Sequence, residues 1–131
     1  MIVVDASALV AIGDEEPDAD DLLRVVNSDE TVIAGINYVE AGLILIGRRR
    51  LADKEDLDRW LGRLAVQVHT AEDLAGDALQ AYLRYGRAYH RARLNLGDCF
   101  AYALAKSLDA PLLYKGDDFT FTDIRSALQP T

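Results

Sequence analysis

The chain has 131 residues, half of them hydrophobic, and a formal net charge of −8. This length supports one domain over residues 1–131 and is too short for two ordinary domains. No apolar run approaches the roughly 18 residues of a membrane span, and the amino terminus lacks the features of a secretion signal. With a single cysteine, Cys99, we expect a cytoplasmic protein without an internal disulfide.

The first half of the chain alternates between strand-like and helix-like segments. Residues 2–4 form a continuous apolar run, which is typical of a strand buried on both faces. Asn37 is predicted to cap the amino end of a helix, whose closing arginines suit its negative end. The predicted elements are, in chain order, a strand at 2–4, helices at 6–12 and 18–27, a strand at 31–36 and a helix at 38–50.

The second half continues the alternation. Its predicted elements are a helix from Asp53 to about Leu64, a strand at 65–69, a helix from Thr70 to about Tyr85, a helix opened by Asn95 or Gly97 and ending near Leu108, and a strand at 111–114. Such alternation predicts an α/β fold, with a parallel sheet covered by helices on both faces. Ligands bind in these sheets beyond the carboxyl ends of the strands, where the strand order reverses.

Acidic residues stand where predicted strands end or helices begin. Asp5 follows the first strand, Glu40 and Asp98 lie in first turns of helices, and Asp117 and Asp118 follow the last strand. All of them can share one edge of the sheet. Carboxylates brought together raise each other's pKa unless a cation neutralises them. The pattern therefore predicts a site for a hard divalent cation with oxygen ligands, Mg²⁺ or Mn²⁺.

Each acid also has a purely structural interpretation. Asp5 can cap a short helix, and the segment from Gly116 to Phe119 has the composition of a turn. The spacings Asn37-x-x-Glu40 and Asn95-x-x-Asp98 are those of capping boxes, in which the third residue bonds back to the cap amide. These structural interpretations are independent of one another, whereas one metal site explains all the acids together.

Four segments in series resemble the PIN-domain ribonucleases, and most of all the VapC toxins of bacterial type II toxin–antitoxin systems. The segments are VVDASALVAI, NYVEAGLIL, LNLGDCFAYALAK and LLYKGDDF. The resemblance runs from residue 1 to about residue 125. It implies a PIN-like three-layer α/β/α sandwich around a mostly parallel sheet of four to five strands. It also implies an endoribonuclease that depends on Mg²⁺, with Mn²⁺ as an alternative.

The resemblance carries the metal-ligand roles onto Asp5, Glu40 and Asp98. Asp117 and Asp118 compete for a fourth position, and the prediction favours Asp117. Two polar residues are expected to support these acids: Ser7, which matches a small hydroxyl residue of the family, and Asn37, which stands where the family often has a hydroxyl. The resemblance further implies a small antitoxin protein that covers the acidic cleft, and a homodimer.

A group of arginines precedes the helix of Asp98. We predict that these residues contact phosphates of the RNA substrate, with a solvated helix end as the structural alternative. Affinity for RNA should then weaken as salt rises, by about one counterion per contact. The group comprises Arg84, Arg87, Arg91 and Arg93.

Two other functions compete with the nuclease. A haloacid-dehalogenase-like phosphohydrolase also places an aspartate after its first strand, but needs a second acid two residues later, where this chain has Ser7. A non-catalytic PIN-like interaction module would bind a partner without using the acids. Retention of every acid favours the nuclease over the module.

Overall fold

The computed structural model describes residues 1–70 and 73–128. Strands and helices alternate through this part of the chain, as predicted. They are β1 (Ile2–Val4), α1 (Ala6–Gly13), α2 (Ala19–Val26), β2 (Thr31–Ala34), α3 (Gly35–Gly47), α4 (Lys54–Leu64), β3 (Val66–His69), α5 (Ala75–Tyr85), α6 (Leu96–Ser107), β4 (Leu112–Leu113) and a 3₁₀ turn (Asp118–Phe121).

The four strands form one parallel sheet in the order β3-β2-β1-β4. Val3 of β1 pairs with Val32 on one side and with Leu112 on the other. The chain therefore steps outward from β1 to β2 and β3, then returns to place β4 on the opposite side of β1. A single parallel bridge from Leu112 to Ser126 extends the sheet beyond β4. The predicted parallel α/β sheet is confirmed.

Two hydrophobic cores lie on opposite faces of the sheet, so the predicted three-layer arrangement is also confirmed. Val3 and Val32 belong to one core, together with residues of α5 and α6. Val4 and Ile33 belong to the other, together with residues of α1, α2, α3 and α4. Successive side chains of a strand point to opposite faces. A central strand flanked by two cores must therefore be apolar at every position, as β1 is.

The predicted start of α3 is wrong. β2 ends at Ala34 and α3 begins at Gly35, so Asn37 lies within the helix and is fully buried. Ala34 occupies the N-cap position, without a side-chain cap. The amide of Asn37 instead donates hydrogen bonds to Glu40 and to the carbonyl of Gly97 on α6. A contact with a distant part of the chain thus replaces the predicted local capping box.

Two of the other predicted helix starts are confirmed. Asp53 caps α4 by accepting a hydrogen bond from the amide of Asp56, and Asn95 caps α6 with a complete capping box, as predicted. α3 stops at Gly47, short of the predicted end at residue 50. The predicted helix start at Thr70 continues into residues 71–72, outside the described residues, and α5 begins at Ala75. Within the described ranges, no helix combines the length and apolarity of a membrane span.

Candidate active site

The strand order reverses between β1 and β4, which predicts a ligand crevice beyond the carboxyl ends of these two strands. A cleft of about 330 Å³ lies there. Asp5 follows β1 directly and lines the cleft, and the segment that follows β4 supplies Lys115 to it. Most of the lining residues are charged or polar: Asp5, Ser7, Glu16, Glu40, Arg48, Asn95, Asp98 and Lys115.

Asp5 is a buried carboxylate, with 4% of the residue exposed. It is the N-cap of α1, and its Oδ2 accepts hydrogen bonds from the amide of Ser7 at 3.1 Å and from Ser7 Oγ at 2.6 Å. Burial raises the pKa of Asp5 to about 6; the hydrogen bonds from Ser7 oppose the rise, and the charge of Glu40 adds to it. Asp5 thus caps a helix and also places a carboxylate in the cleft.

Ser7 connects the ends of the two strands that flank the cleft. Its hydroxyl donates to Asp5 Oδ2 and accepts a hydrogen bond from the backbone N–H of Lys115 at 3.0 Å. A side chain in α1 therefore holds the segment after β4 against the acid that follows β1. The supporting role of Ser7 toward a ligand or water stays a prediction.

Glu40 lies against the start of α6. Asn37 Nδ2 donates to Glu40 Oε1 at 2.8 Å and to the carbonyl oxygen of Gly97 at 3.0 Å. A Cβ at position 97 would overlap the Glu40 carboxylate, so the absence of a side chain there makes room for this acid. The Oδ1 atom of Asn37 is buried and has no hydrogen-bond partner among the described residues. Asn37 and Gly97 together fix where the Glu40 carboxylate lies.

Asp98 is half-buried in the first turn of α6. Its Oδ2 accepts from the amide of Asn95 at 3.0 Å, and its own amide donates to Asn95 Oδ1 at 2.8 Å. Burial raises the pKa of Asp98 to about 7; the hydrogen bond from Asn95 opposes the rise, and the charges of Asp5, Asp118 and Glu40 add to it. These carboxylates therefore share one electrostatic environment.

Two exposed neighbours, Asp117 and Asp118, are the candidates for the fourth acid. Asp117 is the N-cap of the 3₁₀ turn, and Asp118 is its first residue. Asp118 is the one whose charge contributes to the raised pKa of Asp98. This electrostatic contact supports Asp118, whereas the sequence favoured Asp117, and the assignment of the fourth position stays a prediction.

The donor set has the chemistry that Mg²⁺ and Mn²⁺ prefer, because every candidate ligand is a carboxylate oxygen. Burial first, and repulsion by neighbouring carboxylates in addition, raise the pKa of Asp98, and a bound cation would relieve the repulsion. Throughout residues 1–70 and 73–128, no three acidic, histidine or cysteine side chains already stand close enough to hold one ion. Each carboxylate instead bonds to a donor of its own segment: Asp5 to Ser7, Glu40 to Asn37 and Asp98 to Asn95.

The arginines predicted to contact RNA do not line the carboxylate cleft. Arg84 lies over the ring of Tyr85 and lines a separate cavity of about 430 Å³. Arg87 lines another cavity of about 500 Å³, and Arg91 lies over the ring of Phe121. Arg93 is exposed, with a left-handed backbone (φ 55°).

Two cations that sequence reasoning did not assign do line the cleft, Arg48 and Lys115. Arg48 lies in the basic run that follows α3, and Lys115 lies inside the segment LLYKGDDF. Each position was visible in the sequence, but nothing local to either shows that its side chain turns toward the acids.

Comparison with known proteins identifies the family. The PIN domain family model matches residues 2–124. Ribonuclease VapC30 of Mycobacterium tuberculosis is 43% identical over 131 residues, which cover 98% of this chain and 100% of the relative. Ribonuclease VapC of Mycolicibacterium smegmatis is 44% identical over 126 residues, with coverage of 94% and 97%. These similarities favour the PIN fold over the phosphohydrolase alternative.

A solved structure supports the fold independently. The crystal structure of Mycobacterium tuberculosis VapC20, described as a sarcin-ricin loop cleaving toxin, superposes with a TM-score of 0.68. The superposition covers 95% of this chain and 99% of VapC20, at 21% sequence identity. Such an identity supports the fold alone. Taken with the family match and the two relatives, it shows that the chain belongs to the PIN domain family, where it groups with proteins named VapC ribonuclease.

Proposed function

We propose that the protein is the toxin of a type II toxin–antitoxin system and acts as a Mg²⁺- or Mn²⁺-dependent endoribonuclease. The observation that carries the proposal is the meeting of Asp5 and Asp98, both with raised pKa values, in one cleft at the reversal of strand order. Perturbed carboxylates in a cleft are typical of functional sites. The names of the relatives above 40% identity support a ribonuclease.

In this proposal Asp5 and Asp98 hold the cation directly, and Glu40 with Asp117 or Asp118 completes its surroundings. A bound Mg²⁺ supplies Lewis acidity, which activates water and neutralises charge on the phosphate. Glu40 Oε1 accepts the hydrogen bond from Asn37, which leaves Oε2 to take a proton from the attacking water. Ser7 keeps Asp5 Oδ2 oriented toward the cleft side of α1.

The proposal includes the partners that the resemblance implies. The substrate is RNA, the regulator is a small antitoxin protein that covers the cleft, and the working form is a homodimer in the cytoplasm. Four exposed arginines outside the cleft remain candidates for more distant phosphate contacts, since RNA extends beyond the bond that is cut: Arg84, Arg87, Arg91 and Arg93.

The direct test incubates the purified protein, free of antitoxin, with cellular RNA and Mg²⁺ or Mn²⁺. We expect cleavage that EDTA abolishes and that Asp5→Asn and Asp98→Asn each reduce to background. Asp20→Asn, which neutralises an exposed acid on α2, is the matched control and should cleave normally.

Cleavage by both site variants at the wild-type rate would refute the site, and cleavage in EDTA would refute the metal requirement. The same assay decides the fourth acid. Asp118→Asn should lose more activity than Asp117→Asn if the charge that reaches Asp98 marks the ligand.

A further inference from the structure

The carboxylate cleft has an electrostatic difficulty as a site for RNA. Four of its lining residues are acids, Asp5, Glu16, Glu40 and Asp98, and they repel the phosphates of a polyanion. Arg48 and Lys115 are the only arginine and lysine among the described residues that line it. Any attraction of a phosphate by protein side chains within the cleft therefore depends on these two cations.

The backbone of Lys115 is held beside the acids of the cleft, while its head group pairs with exposed carboxylates. Its N–H donates to Ser7 Oγ, the same hydroxyl that donates to Asp5. Its Nζ pairs with Glu16 and, at 3.2 Å, with Asp18. The side chain of Lys115 is 39% exposed, and those of its two partners are 32% and 38% exposed. Ion pairs this open to water contribute little to stability, so a phosphate can displace the carboxylates at little cost.

Arg48 pairs with an acid that also has a second cationic partner. It pairs with Asp14, whose side chain is only 10% exposed, and Asp14 also accepts a hydrogen bond from Arg50 Nε at 3.1 Å. If Arg48 turns to a phosphate, Arg50 still neutralises the half-buried Asp14. The Arg48 side chain is 55% exposed, and its planar guanidinium suits two-point binding of phosphate oxygens.

The connection between α1 and α2 supplies the carboxylates that hold both cations, at residues 14, 16 and 18. These acids thus act as stand-ins for an anion in the free protein. We propose that Arg48 and Lys115 form a phosphate subsite that binds the RNA backbone next to the bond that is cut, with Asp14, Glu16 and Asp18 as the counter-ions that phosphate displaces. This inference rests on the proposed ribonuclease function and adds to it the cations that engage the substrate.

A measurement of RNA binding separates the role of these two cations in holding phosphate from a role in catalysis. A fluorescent single-stranded RNA oligonucleotide is titrated with the Asp98→Asn protein, and anisotropy is recorded at several salt concentrations with Mg²⁺ present. Arg48→Gln and Lys115→Gln, each added to this background, should weaken binding about tenfold, the effect of losing one hydrogen bond to a charged group. Each should also reduce the slope of log affinity against log salt by about 0.7. Arg24→Gln, which removes an exposed arginine paired with Asp21 on α2, is the matched control and should change neither.

A second variant distinguishes binding of phosphate from bracing of the fold. Glu16→Gln removes one of the two carboxylates that pair with Lys115 and leaves Asp18. RNA affinity should therefore increase, and by more than in Asp21→Asn, which removes an acid of α2 instead. If Lys115 only braces the connection, Glu16→Gln and Lys115→Gln break the same contact and should change affinity alike. That result, or wild-type binding by both cation variants, would overturn the subsite.

The outcome is separable from that of the proposed function. Cleavage by the wild type is measured in parallel, and its absence with every divalent cation counts against the ribonuclease. The anisotropy arm still decides the subsite in that case, since it requires no cleavage. Thermal unfolding of each variant verifies the fold, and Lys115→Arg, which keeps the charge, should restore binding.

Discussion

Burial of the Asp5 carboxyl group makes the free energy of unfolding depend on pH. Burial raises its pKa from 3.8 to about 6, which corresponds to about 3 kcal/mol once the group is ionised in both states. A folded-state pKa above the unfolded value means that the folded protein binds the extra proton. The stabilisation that the folded protein gains from binding this proton at Asp5 is therefore fully present below about pH 4. It is lost as pH rises through 6.

Asp5→Asn should consequently stabilise the metal-free protein in a pH-dependent way. Asparagine resembles the protonated acid, so the free energy of unfolding should be nearly that of the wild type at pH 4 and about 2–3 kcal/mol higher at pH 8. Urea unfolding in EDTA at both pH values measures this difference. Asp20→Asn should show no such pH dependence, and an equal shift of Asp5→Asn at both pH values would contradict the explanation.

Asn37 shows where reasoning from neighbours in sequence fails. Its spacing to Glu40 fits a capping box, and the two side chains do bond to each other. The bond does not cap the helix, because Asn37 is inside α3. Asn37 also donates to Gly97, 60 residues later. No residue near Asn37 in the sequence predicts the contact with Gly97. The bond from Asn37 to Glu40 was predictable from their spacing, whereas the bond to Gly97 depends on the packing of α6 against α3.

Helices α3 and α6 meet where Gly97 faces Glu40. Gly97→Ala would place a methyl group on the Glu40 carboxylate, and the acid must move away. Alanine is otherwise the better helix former by about 1 kcal/mol, and Gly97 does not have the left-handed backbone of Gly116. We therefore expect RNA cleavage to fall by about 100-fold, as for a catalytic group displaced by about 1 Å, while the free energy of unfolding changes by no more than about 1 kcal/mol.

The control for this prediction is Gly62→Ala in α4, where an added Cβ meets no atom within 4 Å. It should raise the free energy of unfolding slightly and leave cleavage unchanged. Equal cleavage rates for Gly97→Ala and the wild type would show that the position of Glu40 is unimportant.

Elements with a complete local signal were predictable, and those set by distant partners were not. The buried strand β1, the cap of Asp53 and the capping box of Asn95 are each defined by a few adjacent residues, and all three are present. The end of β2 and the directions of Arg48 and Lys115 depend on contacts with other segments. Asp5 and Asp98 were proposed from the sequence because each stands where one element ends or another begins. Glu16 and the two cations of the cleft carry no such mark.

At the scale of the whole molecule, the carboxylates destabilise the metal-free protein together and should stabilise it together when a cation binds. Mn²⁺ at 100 times its dissociation constant should raise the free energy of unfolding by about 2.7 kcal/mol. Thermal unfolding with and without Mn²⁺ measures the effect, and Asp5→Asn and Asp98→Asn should each lose most of it. The same rise in all three proteins would instead indicate that Mn²⁺ binds elsewhere on an acidic surface.

The alternation of elements predicted the parallel sheet and its two covering layers, since crossovers in such sheets place helices on the faces. The order of the strands was not predictable, because β1 and β4 are short apolar runs that resemble one another. Only the pairing of Val3 with both Val32 and Leu112 shows that the reversal lies at Asp5.

The pairing of β1 with β4 also bears on when, during synthesis of the chain, the cleft can form. Asp5 emerges from the ribosome before its neighbours across the cleft, Asp98 and the loop after β4, which follow more than 90 residues later. A nascent chain that has formed only β1, β2 and β3 has one wall of the cleft and no site. If the proposed function holds, RNA cleavage begins only after α6 and the segment that follows β4 have been translated.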